Sequence, residues 1–123
     1  MTDVVVTVPK GQWADWLAEG DLPGEDAQWE SHFWIGRMGL PNIRPGERVY
    51  IVAHGRVRGF APLVARESPC RLAPSRACLL RQGDAEAVTI PEFVRGFQGW
   101  RYRWWPRISE FPFADWRTEG VPR

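Results

Sequence analysis

Lysine is almost missing from this chain: of sixteen basic residues, only Lys10 is not an arginine. A GC-rich genome produces such a bias, and arginine also suits phosphate and base recognition because its planar fork donates paired hydrogen bonds. Excess charge is equally scarce. Fifteen acidic residues leave a formal charge of only +1, which excludes a protein that coats nucleic acid through bulk basicity. Cysteine is limited to Cys70 and Cys78, too few for a disulfide framework and wrongly spaced for a CxxC metal motif. The two could pair, but buried free thiols in a reducing cytoplasm are the expectation.

No apolar run approaches the roughly 20 residues of a membrane span, and the N-terminal run lacks the basic and apolar regions of a secretory signal. A cytoplasmic protein with no membrane partner is expected. The common catalytic signatures are absent as well: there is no G-x-S-x-G elbow, no phosphate-cradling G-x-x-x-x-G-K and no H-E-x-x-H. His32, His54, Cys70 and Cys78 have the wrong spacing for common zinc knuckles. Neither a metal nor a cofactor is expected.

What the chain does have is aromatic surface, with eight Trp, six Phe and two Tyr in 123 residues. That length makes residues 1–123 one domain, and its core cannot absorb every ring without leaving a few for a pocket or partner. Charge is unevenly spread. Glu19, Asp21, Glu25, Asp26 and Glu30 crowd one stretch, while Arg95, Arg101, Arg103 and Arg107 occupy another that holds no acid between 95 and 107.

In chain order, the β-branched run Val4–Val8 predicts a buried first strand ended by Pro9. Trp13, Trp16 and Leu17 then recur at helical spacing, predicting a short amphipathic helix over 11–19 that stops at Gly20. Residues 32–35 read as a second strand. Pro45-Gly46 turns into Val49–Val52, His54-Gly55 reverses the chain, and Val57–Ala65 returns, with Gly59 suggesting a bulge and Pro62 an edge or bulge position. The apolar runs 77–81 and 87–90 flank a turn cluster and predict a second hairpin. Trp100–Trp105 alternates Trp100, Tyr102 and Trp104 against Arg101, Arg103 and Trp105, as a strand with one core face would. A last helical turn is expected over 113–117.

The central hairpin, with Pro45-Gly46-Glu47-Arg48-Val49 leading in and Gly55-Arg56-Val57-Arg58-Gly59 returning, resembles that of PUA-like β-barrels, a superfamily that includes PUA, ASCH, EVE, YTH and SRA-type domains. The resemblance implies an α+β fold: a small mixed PUA-like β-barrel of about six strands with one or two short flanking helices. EVE and YTH-type members imply an aromatic cage for one modified base, with Trp29, Trp34 and Trp105 as the matching candidates here. ASCH-type members imply an RNA-cleaving or amide-hydrolysing activity with a Gly-x-Lys-x-x-Glu-x-Arg loop. In this chain Gly20 and Glu25 match, but Leu22 and Ala27 stand where the Lys and Arg belong.

The leading expectation is therefore a non-enzymatic nucleic-acid-binding module for RNA, or for single-stranded or flipped-base DNA. Arginines interleaved with aromatics supply a guanidinium for phosphate and a ring for stacking. Trp29, His32, Trp34, Arg101, Arg103, Trp105 and Arg107 are its candidate contacts. A small hydrolase using Lys10 with Glu25 or His32 is the alternative, and a protein-interaction barrel with exposed tryptophans is a third. A core strand with solvated arginines would also produce the 95–107 pattern.

Overall fold

The computed structural model describes residues 2–9, 11–14, the backbone of 30–34, and residues 39–70, 77–82 and 85–117. Its strands are β1 (Val4–Thr7), β2 (Glu30–Trp34), β3 (Arg48–Ala53), β4 (Arg56–Glu67), β5 (Cys78–Gln82), β6 (Val88–Thr89), β7 (Trp100–Tyr102) and β8 (Phe111–Pro112). Six of them form one sheet in the order β2-β5-β4-β3-β1-β7, and β6 pairs with β8 in a separate two-stranded ladder. β1 runs parallel to β3, and every other named pairing is antiparallel. Among the described residues, helix is confined to 11–14 and to a 3-10 turn at Arg107–Ser109.

The centre of this sheet is buried on both faces, which is why β1 and β3 are almost continuously apolar rather than alternating. Val4, Val6, Val49 and Ile51 point into one cluster with Trp13, Leu63, Leu79, Phe113 and Trp116. Val5, Tyr50 and Val52 point into the other with Val57, Phe60, Ile90, Val94 and Trp105. Side chains one residue apart on a strand lie on opposite faces, so a single valine run feeds two cores.

The hairpin β3–β4 turns on two residues, His54 and Gly55, both at positive φ (47° and 78°). That is the geometry of a tight turn whose twist matches the strands it joins. Gly59 stands opposite Ile51 while Val57 stands opposite Val52, so Arg58 is the extra residue of a bulge. Its side chain is fully buried. Nε donates to the Ala53 carbonyl at 2.6 Å, Nη1 donates to the Trp116 carbonyl at 2.8 Å, and the guanidinium lies 5.2 Å from the Trp13 ring. Burial, followed by the charge of Arg56, pulls its pKa down to about 10, leaving it cationic at neutral pH. A second register shift falls between Leu63 and Ala65, just after Pro62, where β4 takes up β5.

Three expectations are corrected. The α+β barrel does not form: the protein is predominantly sheet, and β2 and β7 remain separate edges that do not pair with each other. Closure needs staggered edge strands long enough to meet, but β7 has three residues, and its pairing with β1 ends with the Arg103 N–H bond to the Asp3 carbonyl at 3.0 Å. The second hairpin is also not formed, because β4 and β2 occupy both sides of β5; β6 pairs with β8 instead. Finally, Cys70 and Cys78 are joined in a disulfide rather than free, which removes the thiol argument for a reducing compartment. No helix of the described residues is long and apolar enough to cross a membrane.

The disulfide joins residues 8 apart in sequence at the β4–β5 connection, so loop-closure entropy should contribute about 2–3 kcal/mol. Cys70→Ala/Cys78→Ala is expected to lose that much in urea unfolding. Thiol titration of the unreduced native protein should find no reactive sulfhydryl; two would refute the bridge.

Candidate functional site

The face carrying Val5, Tyr50 and Phe60 holds both a polar latch and a cleft. Asp3 precedes β1 by one residue, which places it on the Val5 side, and Arg48 shares that side with Tyr50 on the neighbouring β3. The Asp3 carboxylate is buried. Its Oδ1 accepts from the Arg48 backbone N–H at 2.9 Å, and Oδ2 accepts from Arg103 Nε and Arg107 Nη2, each at 2.9 Å. Burial by itself would raise the Asp3 pKa. The hydrogen bonds from Arg48, Arg107 and Arg103 outweigh it and hold the carboxyl below its ordinary value.

Glu110 makes the second half of the latch. Its Oε2 accepts from the Tyr50 hydroxyl at 2.5 Å and from Trp105 Nε1 at 2.8 Å, while Oε1 accepts from Arg48 Nη1 at 3.2 Å. Arg48 Nη1 also donates to the Tyr50 oxygen at 2.9 Å. Burial, and then the Glu110 acceptor, push the Tyr50 hydroxyl well above its usual range, so it stays protonated and donates. Arg103 further donates to the Trp105 carbonyl. The segment from 103 to 110 is thereby fastened to the sheet.

This fastening inverts the expected roles of neighbouring rings. Trp105 is 5% exposed and packs edge-on against Tyr50 with centroids 5.1 Å apart. Trp104 is 42% exposed. Strand alternation would have predicted the reverse, but the strand ends at Tyr102, and from there the latch decides which ring turns inward.

Trp104 forms part of a shallow cleft of about 270 Å³ with Glu92, Phe93, Val94, Arg95, Gly96 and Arg101. Two backbone bonds tie the 92–97 segment to the sheet: Val94 N–H donates to the Gly55 carbonyl at 2.8 Å, and Phe97 N–H donates to Thr7 Oγ1 at 3.2 Å. Gly96 permits this approach, since a Cβ there would lie 3.2 Å from Thr7 Cγ2. Phe93 is 56% exposed. The Arg101 guanidinium lies 4.4 Å from the Phe97 ring, and Trp104 Nε1 donates to Glu92 Oε1 at 3.1 Å. Two guanidiniums, two exposed rings and one carboxylate therefore share a single opening, which can stack a planar ring and hold an anion beside it.

Of the sequence candidates, only Arg101 lies in this cleft. Arg103, Trp105 and Arg107 belong to the latch. Trp29, Lys10 and Glu25 fall outside the described residues. His32 and Trp34 lie on β2, whose backbone alone is described; four strands lie between it and β7, roughly 24 Å along the sheet at the usual strand spacing. Glu92 and Phe93 were missed by sequence reasoning, although Pro91-Glu92-Phe93-Val94-Arg95 did carry a signal: an aromatic between an acid and a base in a segment that Pro91 takes out of regular structure. Elsewhere, Glu67, Cys70 and Cys78 bring ligand-type atoms within 4.8 Å of one another, but both sulfurs are committed to the disulfide.

No family model, curated protein or solved structure matches the chain.

Because the folded pKa of Asp3 is depressed, its stabilising contribution is complete above the ordinary carboxyl value of 3.8 and is lost as pH falls through the lower folded value. Asp3→Asn is expected to cost roughly 2–3 kcal/mol at neutral pH and to flatten the loss of stability in acid. Urea unfolding from about pH 2.5 to 7 tests this. Parallel wild-type and variant curves below pH about 4 would contradict it.

Proposed function

We propose that this protein is a non-enzymatic nucleic-acid-binding module that stacks one unpaired base in the cleft of Phe93 and Trp104, with Arg95 and Arg101 beside the phosphate. The observation that carries the reading is the exposure of two aromatic rings in one opening with two guanidiniums. Trp104 packs at 90° to Trp105 with ring centroids 4.9 Å apart and is 42% exposed, which leaves ring surface for a stacked base. Base–aromatic stacking is sequence-tolerant and is worth roughly 1–3 kcal/mol per base. Among the described residues Arg95 and Arg101 make no ion pair with a carboxylate, so their charge is available to an anion. Single-stranded RNA or DNA offers the required combination, because its bases are already free of partners.

The contrast between cleft and latch supplies the test. Trp104→Ala should weaken binding of a short single strand by roughly 5- to 100-fold, the equivalent of the stacking term. Arg101→Ala should reduce the slope of log affinity against log salt by about 1. Arg103→Ala, by contrast, should lower thermal stability, since Arg103 is held by Asp3. Fluorescence titration at two salt concentrations and a melting curve for each variant measure these effects. If Trp104→Ala binds as tightly as the wild type, the stacking role is lost; if no single strand binds at all, the nucleic-acid reading fails and a protein ligand for the same rings becomes the better one.

A further inference from the structure

Resting on that base-stacking reading, we infer that the cleft selects guanine, with the Glu92 carboxylate accepting hydrogen bonds from the N1–H and N2–H groups of the base. Among the described residues, Glu92 is the one acid lining an opening that otherwise offers arginines, aromatic rings, Val94 and Gly96. Among the described residues it forms no ion pair with Arg95 or Arg101, so its charge is not cancelled by the groups assigned to phosphate. Its partner is instead the edge of the stacking ring: Trp104 Nε1 donates to Oε1 at 3.1 Å. That bond sets the carboxylate at the rim of the ring on which a base would lie. Oε2 and the remaining lone pairs of Oε1 are left to accept, since an ionised carboxylate has about four acceptor sites and no donor.

An acceptor-only group discriminates among base edges by what it repels as well as by what it binds. Guanine presents two adjacent donors, N1–H and N2–H, which match the two oxygens of a carboxylate. Adenine and cytosine each present one amino donor beside a ring-nitrogen acceptor, and uracil presents one N–H between two carbonyls. Each of these places at least one lone pair against the carboxylate. Reading a base edge by hydrogen bonds while an aromatic ring holds its face is how single-stranded and flipped bases are distinguished. The arginines cannot supply this preference, because they donate only and are assigned to the backbone.

The test is tryptophan fluorescence titration of the whole protein with the RNA trinucleotides UGU, UAU, UCU and UUU at one salt concentration, together with UIU, whose inosine lacks the 2-amino group. UGU is expected to bind about tenfold more tightly than UAU or UUU, the equivalent of one charge-assisted hydrogen bond pair in a half-open site. UIU should fall between them. Glu92→Gln keeps an oxygen for Trp104 but adds donors, and should lower UGU affinity about tenfold, to the level of UAU. Equal affinities across the wild-type series, or a guanine preference that survives in Glu92→Gln, would overturn the selection while leaving base stacking intact. Failure of every trinucleotide to bind the wild type would remove base stacking itself, and the selection with it.

Discussion

A buried carboxylate one residue before the first strand organises the sheet face that carries Val5, Tyr50 and Phe60. Asp3 gathers the backbone N–H of Arg48 and the side chains of Arg103 and Arg107, tying together three parts of the chain that are far apart in sequence. Placing a charge out of water is costly unless it is paired and fully hydrogen-bonded. Here every bond to Asp3 comes from a donor that is cationic or belongs to the backbone, so the ionised form is favoured despite its burial. Glu110 repeats the arrangement one turn further on, with Tyr50, Trp105 and Arg48 as its donors.

The consequence of this latch is an asymmetry between adjacent tryptophans. Trp105 is drawn inward by its indole N–H bond to Glu110, and Trp104 is left outside, bonded to Glu92. Buried tryptophans normally find a partner for that N–H, and the two carboxylates supply one on each side. The cleft thus exists because the latch does. Val94, which packs in the cluster of Val5 and Tyr50, lines it together with the exposed rings and the arginines. The bond to Glu92 fixes the edge of the Trp104 ring, and a ring held in place in this way loses little entropy on contact with any partner.

Arginine serves three different purposes in the structure. Arg58 fills a bulge in the core and satisfies two carbonyls, and Arg81 is buried with Nη1 donating to the Val49 carbonyl at 3.4 Å. Arg48, Arg103 and Arg107 neutralise the latch carboxylates. Arg95 and Arg101 alone, of the arginines discussed, line the cleft. A guanidinium can do all of this because it offers five donors in a fixed plane and remains charged when buried. Composition therefore overstates how many of these guanidiniums are left without a carboxylate or carbonyl partner.

Local physics made much of the fold legible in the sequence. The continuous β-branched run at 4–8 reads as a buried strand, His54-Gly55 as a two-residue reversal, and Gly59 as a bulge, because each depends on steric preferences carried by a few consecutive residues. Of the residues between 95 and 107, Arg95, Gly96, Arg101 and Trp104 line the cleft, while Arg103, Trp105 and Arg107 belong to the latch. What tertiary structure decided was where the alternation of 100–105 ends, which arginines face carboxylates and whether the sheet closes. Those outcomes depend on Asp3 and Glu110, which pair with Arg103, Arg107 and Tyr50 across separations of 60 to 104 residues. Pairing across such distances leaves no periodic trace in the chain. It is set by how two buried charges find enough donors, and that can be satisfied only once the strands are side by side.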